Sequence, residues 1–215
     1  MTETIAIVDY GSGNLRSVEK AFERAAQDGG MDAKITVTDS PNVIASADRL
    51  VLPGVGAFGA CMDGLAARAG VLEAMEDVAL VKERPFFGVC VGMQLLAETG
   101  EEFGVSDGLG WIPGRVVAID PPSPDIRVPH MGWNRVHLED THPVFADLGG
   151  AAFYFAHSFQ FKTDHEAFVH GTADHGGPLT VAIGRDNIFG VQFHPEKSQR
   201  AGLRLIENFL RWRPL

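Results

Sequence analysis

Cysteine is scarce in this sequence of 215 residues: only Cys61 and Cys90 occur, too few for a disulfide framework. Basic residues are also in the minority, with 18 Lys and Arg against 28 Asp and Glu and a formal charge of −10. That balance, without any Lys/Arg cluster, argues against a nucleic-acid backbone or an anionic membrane as main partner. A small polar substrate or another protein is favoured instead. No stretch approaches the roughly 20 apolar residues of a membrane span. The start, Met1-Thr-Glu-Thr followed by Ile5-Ala-Ile-Val8, lacks the basic and long apolar regions of a signal peptide. A cytoplasmic protein with reduced thiols is expected, and each cysteine has to be judged separately as a packing residue or a reactive one. The eight histidines are scattered, with no His-x-x-x-His or His-Glu-x-x-His pattern on a helix. Neither a metal nor another cofactor is expected.

Apolar residues are plentiful, at 45%, enough to fill the core of an α/β protein organised as one domain over residues 1–215. The first half alternates short apolar runs with helical patterns, the signature of a mostly parallel sheet flanked by helices. Strands are expected at residues 4–8, 34–37, 49–52 and 85–89. Leu15, Val18, Phe22 and Ala25 repeat at helical spacing behind Asn14 as N-cap, Ser40-Pro41 reads as another helix start, and residues 71–80 carry a further helical pattern. Beyond about Gly100, Gly and Pro punctuate short strands at 115–119, 134–138, 153–156, 180–185 and 188–193, a mixed or antiparallel extension. The segment Asp120-Pro-Pro-Ser-Pro-Asp125 reads as a loop. A last helix is expected at 202–212.

The most informative stretch is Pro85-Phe-Phe-Gly-Val-Cys90-Val-Gly-Met-Gln94-Leu-Leu, a buried-strand pattern that breaks at a cysteine and continues as an apolar helix. Gly88 and Gly92 flank Cys90 as small residues flank the nucleophile of a strand-to-helix elbow. A thiol there sits at a helix N-terminus, where unpaired N–H groups favour the thiolate. Taken alone, Cys90 reads equally well as one more small buried residue. Cys61 has no such flanking pattern and reads as structural.

A thiol nucleophile needs a base. Phe189-Gly-Val-Gln-Phe193-His194-Pro195-Glu196 offers a strand ending on His-Pro-Glu, and residues two apart in an extended segment point to one side. Glu196 is thereby placed to orient His194, the nucleophile–base–orienter arrangement of acyl transfer. A lone His at a strand end reads otherwise as a packed core residue.

Pro53-Gly54-Val55-Gly56-Ala57-Phe58-Gly59 matches Gly-x-Gly-x-x-Gly literally, so a dinucleotide-binding enzyme competes. That fingerprint requires an acid at the end of the following strand, whereas Glu73, Glu76 and Asp77 fall in a helical pattern. The backbone N–H groups of such a loop serve equally to hold an oxyanion, the more coherent use beside a cysteine elbow.

Together, Pro53-Gly-Val-Gly-Ala-Phe58, Gly88-Val-Cys-Val-Gly-Met-Gln94 and His194-Pro-Glu-Lys-Ser198 resemble, in order, the three hallmarks of the class I (triad) glutamine amidotransferases. Asp9-Tyr-Gly-Ser-Gly-Asn-Leu15, Val128-Pro-His-Met-Gly-Trp-Asn134 and Tyr154-Phe-Ala-His-Ser158 further resemble the glutaminase subunits of imidazole glycerol phosphate synthases, of the histidine pathway. The resemblance covers essentially the whole chain. It implies Cys90, His194 and Glu196 as catalytic residues and Val55, Gly56 and Val91 as oxyanion donors. It further implies Gly54, Gln94, Glu102 and the main chain of Ser158 and Phe159 as glutamine contacts. It also implies a (β/α)8-barrel cyclase subunit as partner in a heterodimer, receiving ammonia to form imidazole glycerol phosphate and an aminoimidazole carboxamide ribotide. Asn14, Met131, Trp133 and Lys197 would face that partner. Read without the resemblance, these four are a helix cap, two core residues and a solvated lysine, and Glu102 is a solvated charge. The rivals are another amidotransferase of the class, a non-catalytic glutamine-binding regulator, and a peptide or ester hydrolase sharing the elbow.

Overall fold

A computed structural model of the chain describes residues 2–11, 13–139 and 141–214. Met1 of the N-terminal segment and Ser12 of the Asp9–Leu15 motif lie outside the described residues, as do Asp140 and Leu215. The first half runs β1 (Glu3–Val8), α1 (Leu15–Asp28), β2 (Ala33–Thr38), α2 (Pro41–Ser46), β3 (Arg49–Gly54), α3 (Phe58–Ala66), α4 (Val71–Glu76), β4 (Phe86–Cys90) and α5 (Val91–Gln94). The second half adds β5 (Thr99–Gly100), β6 (Ser106–Asp107), β7 (Arg115–Ala118), β8 (His130–Arg135), β9 (His137–Leu138), β10 (Ala152–His157), β11 (Phe159–Lys162), β12 (Val169–Asp174), β13 (Pro178–Arg185), β14 (Ile188–Val191) and α6 (Gln199–Arg211).

Among the described residues, eight strands make the main sheet in the order β2-β1-β3-β4-β14-β13-β12-β9. The first five are parallel to their neighbours and the last three pair antiparallel. This is the expected α/β architecture with its antiparallel extension. The run Phe86-Phe87 shows why the central strands read as continuously apolar: both faces are covered. Phe87 stacks on Phe209 of α6 and lies against Phe22 of α1, while Phe86 turns the other way onto Trp111. On α1 the buried residues Val18, Ala21, Phe22, Ala25 and Ala26 form one stripe. The smaller β10-β8 and β11-β7-β5-β6 sheets pack beyond the main one.

One topological fact positions everything that follows. β14, late in the chain, inserts parallel beside β4, with Gly190 opposite Gly88 and Val191 opposite Val89. β3 lies on the other side of β4, with Gly54 opposite Cys90. The carboxyl ends of β3, β4 and β14 therefore converge at one sheet edge, where parallel α/β proteins hold their ligands.

Several local expectations need correction. The helix after Cys90 lasts only four residues, because Leu95 and Leu96 turn inward and are fully buried rather than extending a helical face. The helical pattern at 71–80 is α-helical only to Glu76 and continues as a π-helical turn over Asp77–Val81. The strand expected at 134–138 is broken at Val136, whose side chain is buried between β8 and β9. The strand expected at 188–193 ends at Val191. Asn14 does occupy the N-cap of α1, but its side chain makes no capping bond; its carbonyl accepts from the N–H groups of Ser17 and Val18.

Candidate active site

Cys90 sits where β4 passes into α5 with φ 56° and ψ −114°, a conformation costly for any residue with a Cβ. The turn closes only because its neighbours are glycines. A Cβ on Gly92 would lie 1.8 Å from the Leu52 carbonyl oxygen, and one on Gly88 would lie 2.6 Å from that of Gly92. Gly54 is equally constrained, with Val91 and Gly92 within 2.8 Å of where its Cβ would be. The elbow expected from the sequence is present, and it presses the end of β3 against the start of α5.

His194 follows β14, and its ring reaches both Cys90 and Glu196. It lies close enough to the Cys90 sulfur to be influenced by it, and its Nδ1 lies 2.9 Å from Glu196 Oε1 with both side chains buried. The segment is tethered on every side: His194 N–H donates to the Tyr154 carbonyl, and Ser198 Oγ donates to the His194 carbonyl while accepting from Tyr154 N–H. A Cβ on Gly202 would strike the Pro195 carbonyl at 1.8 Å, so α6 closes tightly over this loop. Burial pushes His194 down, but Cys90 and Glu196, as acceptors for the ring's N–H groups and through their charge, outweigh it and raise the imidazole to about 9. The protonated ring is thereby favoured between Cys90 and Glu196.

These residues open on a cavity of about 420 Å³, large enough for an amino acid. Of the residues expected at the site, Val55, Gly56, Cys90, Val91, Gln94, Glu102, Ser158, Phe159 and His194 line it, with Met131 and Lys197 at its edge. Gly54 stands beside it at the end of β3. Glu102 is more than a solvated charge, since its Oε2 accepts from Phe58 N–H at 2.9 Å and caps α3, a favourable place for an anion. Met131 and Trp133 are exposed rather than core residues, at 64% and 51%, and alternate along β8 with inward-facing His130 and Asn134. Lys197 is exposed with its ammonium 6.0 Å from the Tyr154 ring. Asn14 is exposed beside Gly13, whose Cβ position lies 3.7 Å from Pro53. Cys61 is buried, and its thiol donates to the Val55 carbonyl at 3.5 Å.

Residues not anticipated from the sequence join the site. Gln192 is fully buried, accepts from Gln94 Nε2 at 2.9 Å and directs its own Nε2 to Cys90 Sγ at 3.7 Å. Its signal was its place two residues before His194, on the same side of an extended segment. Ser198 and His157 also belong here. The dinucleotide alternative loses its support: the next sheet strand after the glycine loop ends at Cys90 itself, and Glu73 and Glu76 lie on α4. Among the described residues, no cluster of His, Cys, Asp and Glu is arranged to hold a metal, and no helix is long and apolar enough to cross a membrane.

Comparison with known proteins identifies the family. The family model for class-I glutamine amidotransferases matches residues 6–212. The chain is 55% identical over 212 residues to the imidazole glycerol phosphate synthase subunit HisH of Rhodospirillum rubrum, covering 98% of this chain and 99% of that protein. The chain belongs to the class-I glutamine amidotransferases, among the HisH subunits. A second HisH subunit, from Caulobacter vibrioides, is 54% identical over 213 residues, covering 99% of this chain and 100% of that one. A crystal structure of a glutamine amidotransferase superposes with a TM-score of 0.71 at 19% identity, covering 96% of this chain and 97% of that one, a likeness of fold. Within a class-I glutamine amidotransferase the carboxyl ends of β3, β4 and β14 thus bring a glycine loop, a strained cysteine and a histidine–carboxylate pair to one cavity.

Proposed function

We propose that this chain hydrolyses glutamine through a cysteinyl thioester and passes the ammonia to a (β/α)8-barrel cyclase subunit, with which it forms a heterodimer. The cyclase uses that ammonia to make imidazole glycerol phosphate and an aminoimidazole carboxamide ribotide in histidine biosynthesis. The observation that carries the reading is the strained Cys90 beside a His194 paired with the buried Glu196, at the wall of an amino-acid-sized cavity.

In this reading Cys90 Sγ attacks the side-chain carbonyl carbon of glutamine as the thiolate paired with protonated His194. The oxyanion is held by N–H groups of Val91, Val55 and Gly56. His194, oriented by Glu196, donates its proton to the departing nitrogen, so that ammonia leaves as the carbonyl re-forms and the glutamyl thioester remains. His194 then takes a proton from water, which attacks the thioester; glutamate leaves, its carboxyl proton passes to solvent, and the pair of Cys90 thiolate and protonated His194 is restored. Gln94, Glu102, Gly54 and the main chain of Ser158 and Phe159 hold the amino-acid end of the substrate. Exposed Met131, Trp133, Asn14 and Lys197 form the face offered to the cyclase. The whole chain acts as one glutamine amidotransferase domain, working in the cytoplasm.

Partner dependence has a physical basis in the glycine loop. Gly56 has φ +98° with open space where a Cβ would be, and the Val55 carbonyl is engaged by Cys61. A small rotation of these peptides aligns or removes an oxyanion donor, and one such donor is worth on the order of 10² to 10³ in rate. The test is glutamate production by the chain alone, with the cyclase, and with the cyclase plus its nucleotide ligand. The expected order is a nearly silent chain, then rising activity. Full activity in the chain alone would overturn partner activation, and no activity in the loaded complex would overturn the glutaminase itself.

A further inference from the structure

Two buried histidines lie outside the triad and have no part in the chemistry above. His130 on β8 and His157 on β10 are direct cross-strand partners, 4% and 6% exposed. His157 Nδ1 donates to the Phe159 carbonyl at 2.8 Å, which leaves its Nε2 as acceptor. His130 Nδ1 donates to that nitrogen at 2.9 Å, and His130 Nε2 in turn accepts from Asn134 Nδ2 at 3.0 Å. The same amide is anchored on the Asp174 carbonyl at 2.8 Å. Each ring thus uses one N–H and one lone pair, an arrangement that only neutral imidazoles can make. Burial keeps them neutral: it is the largest influence lowering His130 to about 3, helped by the nearby His157 and His175, and it lowers His157 to about 4 against the opposing bond to Phe159.

The Phe159 carbonyl is where this chain of bonds meets the cavity. It also accepts from Gln94 Nε2 at 3.2 Å, and Gln94 bonds Gln192, whose amide reaches Cys90. The Ser158 carbonyl is held from the other side by Ile119 N–H. A wall built from main chain has no side chain of its own to lock it, so its position is set by whatever bonds its carbonyls.

We infer that His130 and His157 are positioning residues for glutamine: through the Phe159 carbonyl they fix the Ser158–Phe159 wall and the Gln94 amide against which the substrate rests. This rests on the glutaminase reading above. Neither ring touches the reacting atoms, so the effect falls on substrate affinity rather than on the chemical step.

The competing role is packing, since His130 also stacks on Phe155 with ring centroids 4.5 Å apart. Steady-state glutamine hydrolysis by the complex with the cyclase and its nucleotide ligand separates the two, with thermal melting measured alongside. His157→Phe keeps the ring but loses the donor, and is expected to raise KM for glutamine about tenfold while kcat changes less than about threefold. His157→Asn keeps an N–H near the place of Nδ1 and is expected to recover most of that affinity. Asn134→Ala, at the half-buried end, should move KM the same way by about threefold, and serves if the His157 variants do not fold. An unchanged KM in folded His157→Phe, equal rises in His157→Phe and His157→Asn, or an unmoved KM in Asn134→Ala overturns the inference. A parent complex that releases no glutamate overturns it together with the glutaminase reading.

Discussion

His194 Nδ1 and Glu196 Oε1 stand 2.9 Å apart in a buried pair, while Glu196 Oε2, buried as well, accepts no hydrogen bond among the described residues. The carboxylate is committed to the imidazole alone. A buried carboxylate satisfied on one oxygen is tolerable chiefly beside a positive charge, so the pair favours the protonated ring.

That division of labour sets an order of losses. His194→Ala removes the proton carrier and is expected to lower turnover by on the order of 10⁴ to 10⁶, whereas Glu196→Gln removes only orientation and charge and costs less. Turnover of the two variants in the cyclase complex, with circular dichroism to confirm folding, checks the order. Equal losses in folded proteins would give Glu196 a direct chemical role.

The same pair fixes a pH dependence. His194 is raised from 6.5 to about 9, so the folded state binds its proton more tightly than the unfolded chain does. Its stabilising contribution is complete below about 6.5 and is lost as pH rises through about 9. The rate constant kcat/KM should therefore fall on an alkaline limb near 9. In Glu196→Gln one raising influence is gone while burial still lowers the ring, so the limb moves to lower pH. A limb that stays in place in that variant contradicts the assignment.

His130 and His157 have the opposite sign. Their folded values, about 3 and about 4, lie below 6.5, so the unfolded chain binds their protons more readily. Stability should be unaffected by them above pH about 6.5 and decline as pH falls towards about 4. Melting temperature followed from pH 7 to pH 4 should drop less in His157→Asn than in the parent; an equal or larger drop in the variant would show that the ring is not held neutral.

How much of this was legible beforehand follows from the range of each interaction. The strands around β4, the stripe on α1 and the elbow at Cys90 are written in local patterns, and the structure has them all. His194-Pro-Glu is also local, and its geometry is as expected from an i, i+2 placement in extended chain. What brings His194 to Cys90 is the insertion of β14 beside β4, a tertiary choice no local pattern encodes. β11 went unrecognised because its partner β7 lies far back along the chain, and β12 although it forms a hairpin with the following β13; the role of Glu102 depends on a helix start 44 residues away. The His130–His157 pair likewise exists only through the register of β8 on β10.

Strain at the nucleophile is measurable. Cys90 holds φ 56° and ψ −114°, where glycine is at ease and alanine is not. Cys90→Gly is expected to be more stable than Cys90→Ala by about 1 kcal/mol, or roughly 2 to 4 °C in melting temperature. Equal melting temperatures would mean that the elbow is relaxed.

The most direct test of the central claim is glutamate release by Cys90→Ala in the cyclase complex with nucleotide bound. The nucleophile assignment predicts a loss of at least about 10³ with folding and cyclase binding intact, and no comparable loss for Cys61→Ala. Release by Cys90→Ala at near the parental rate would contradict it.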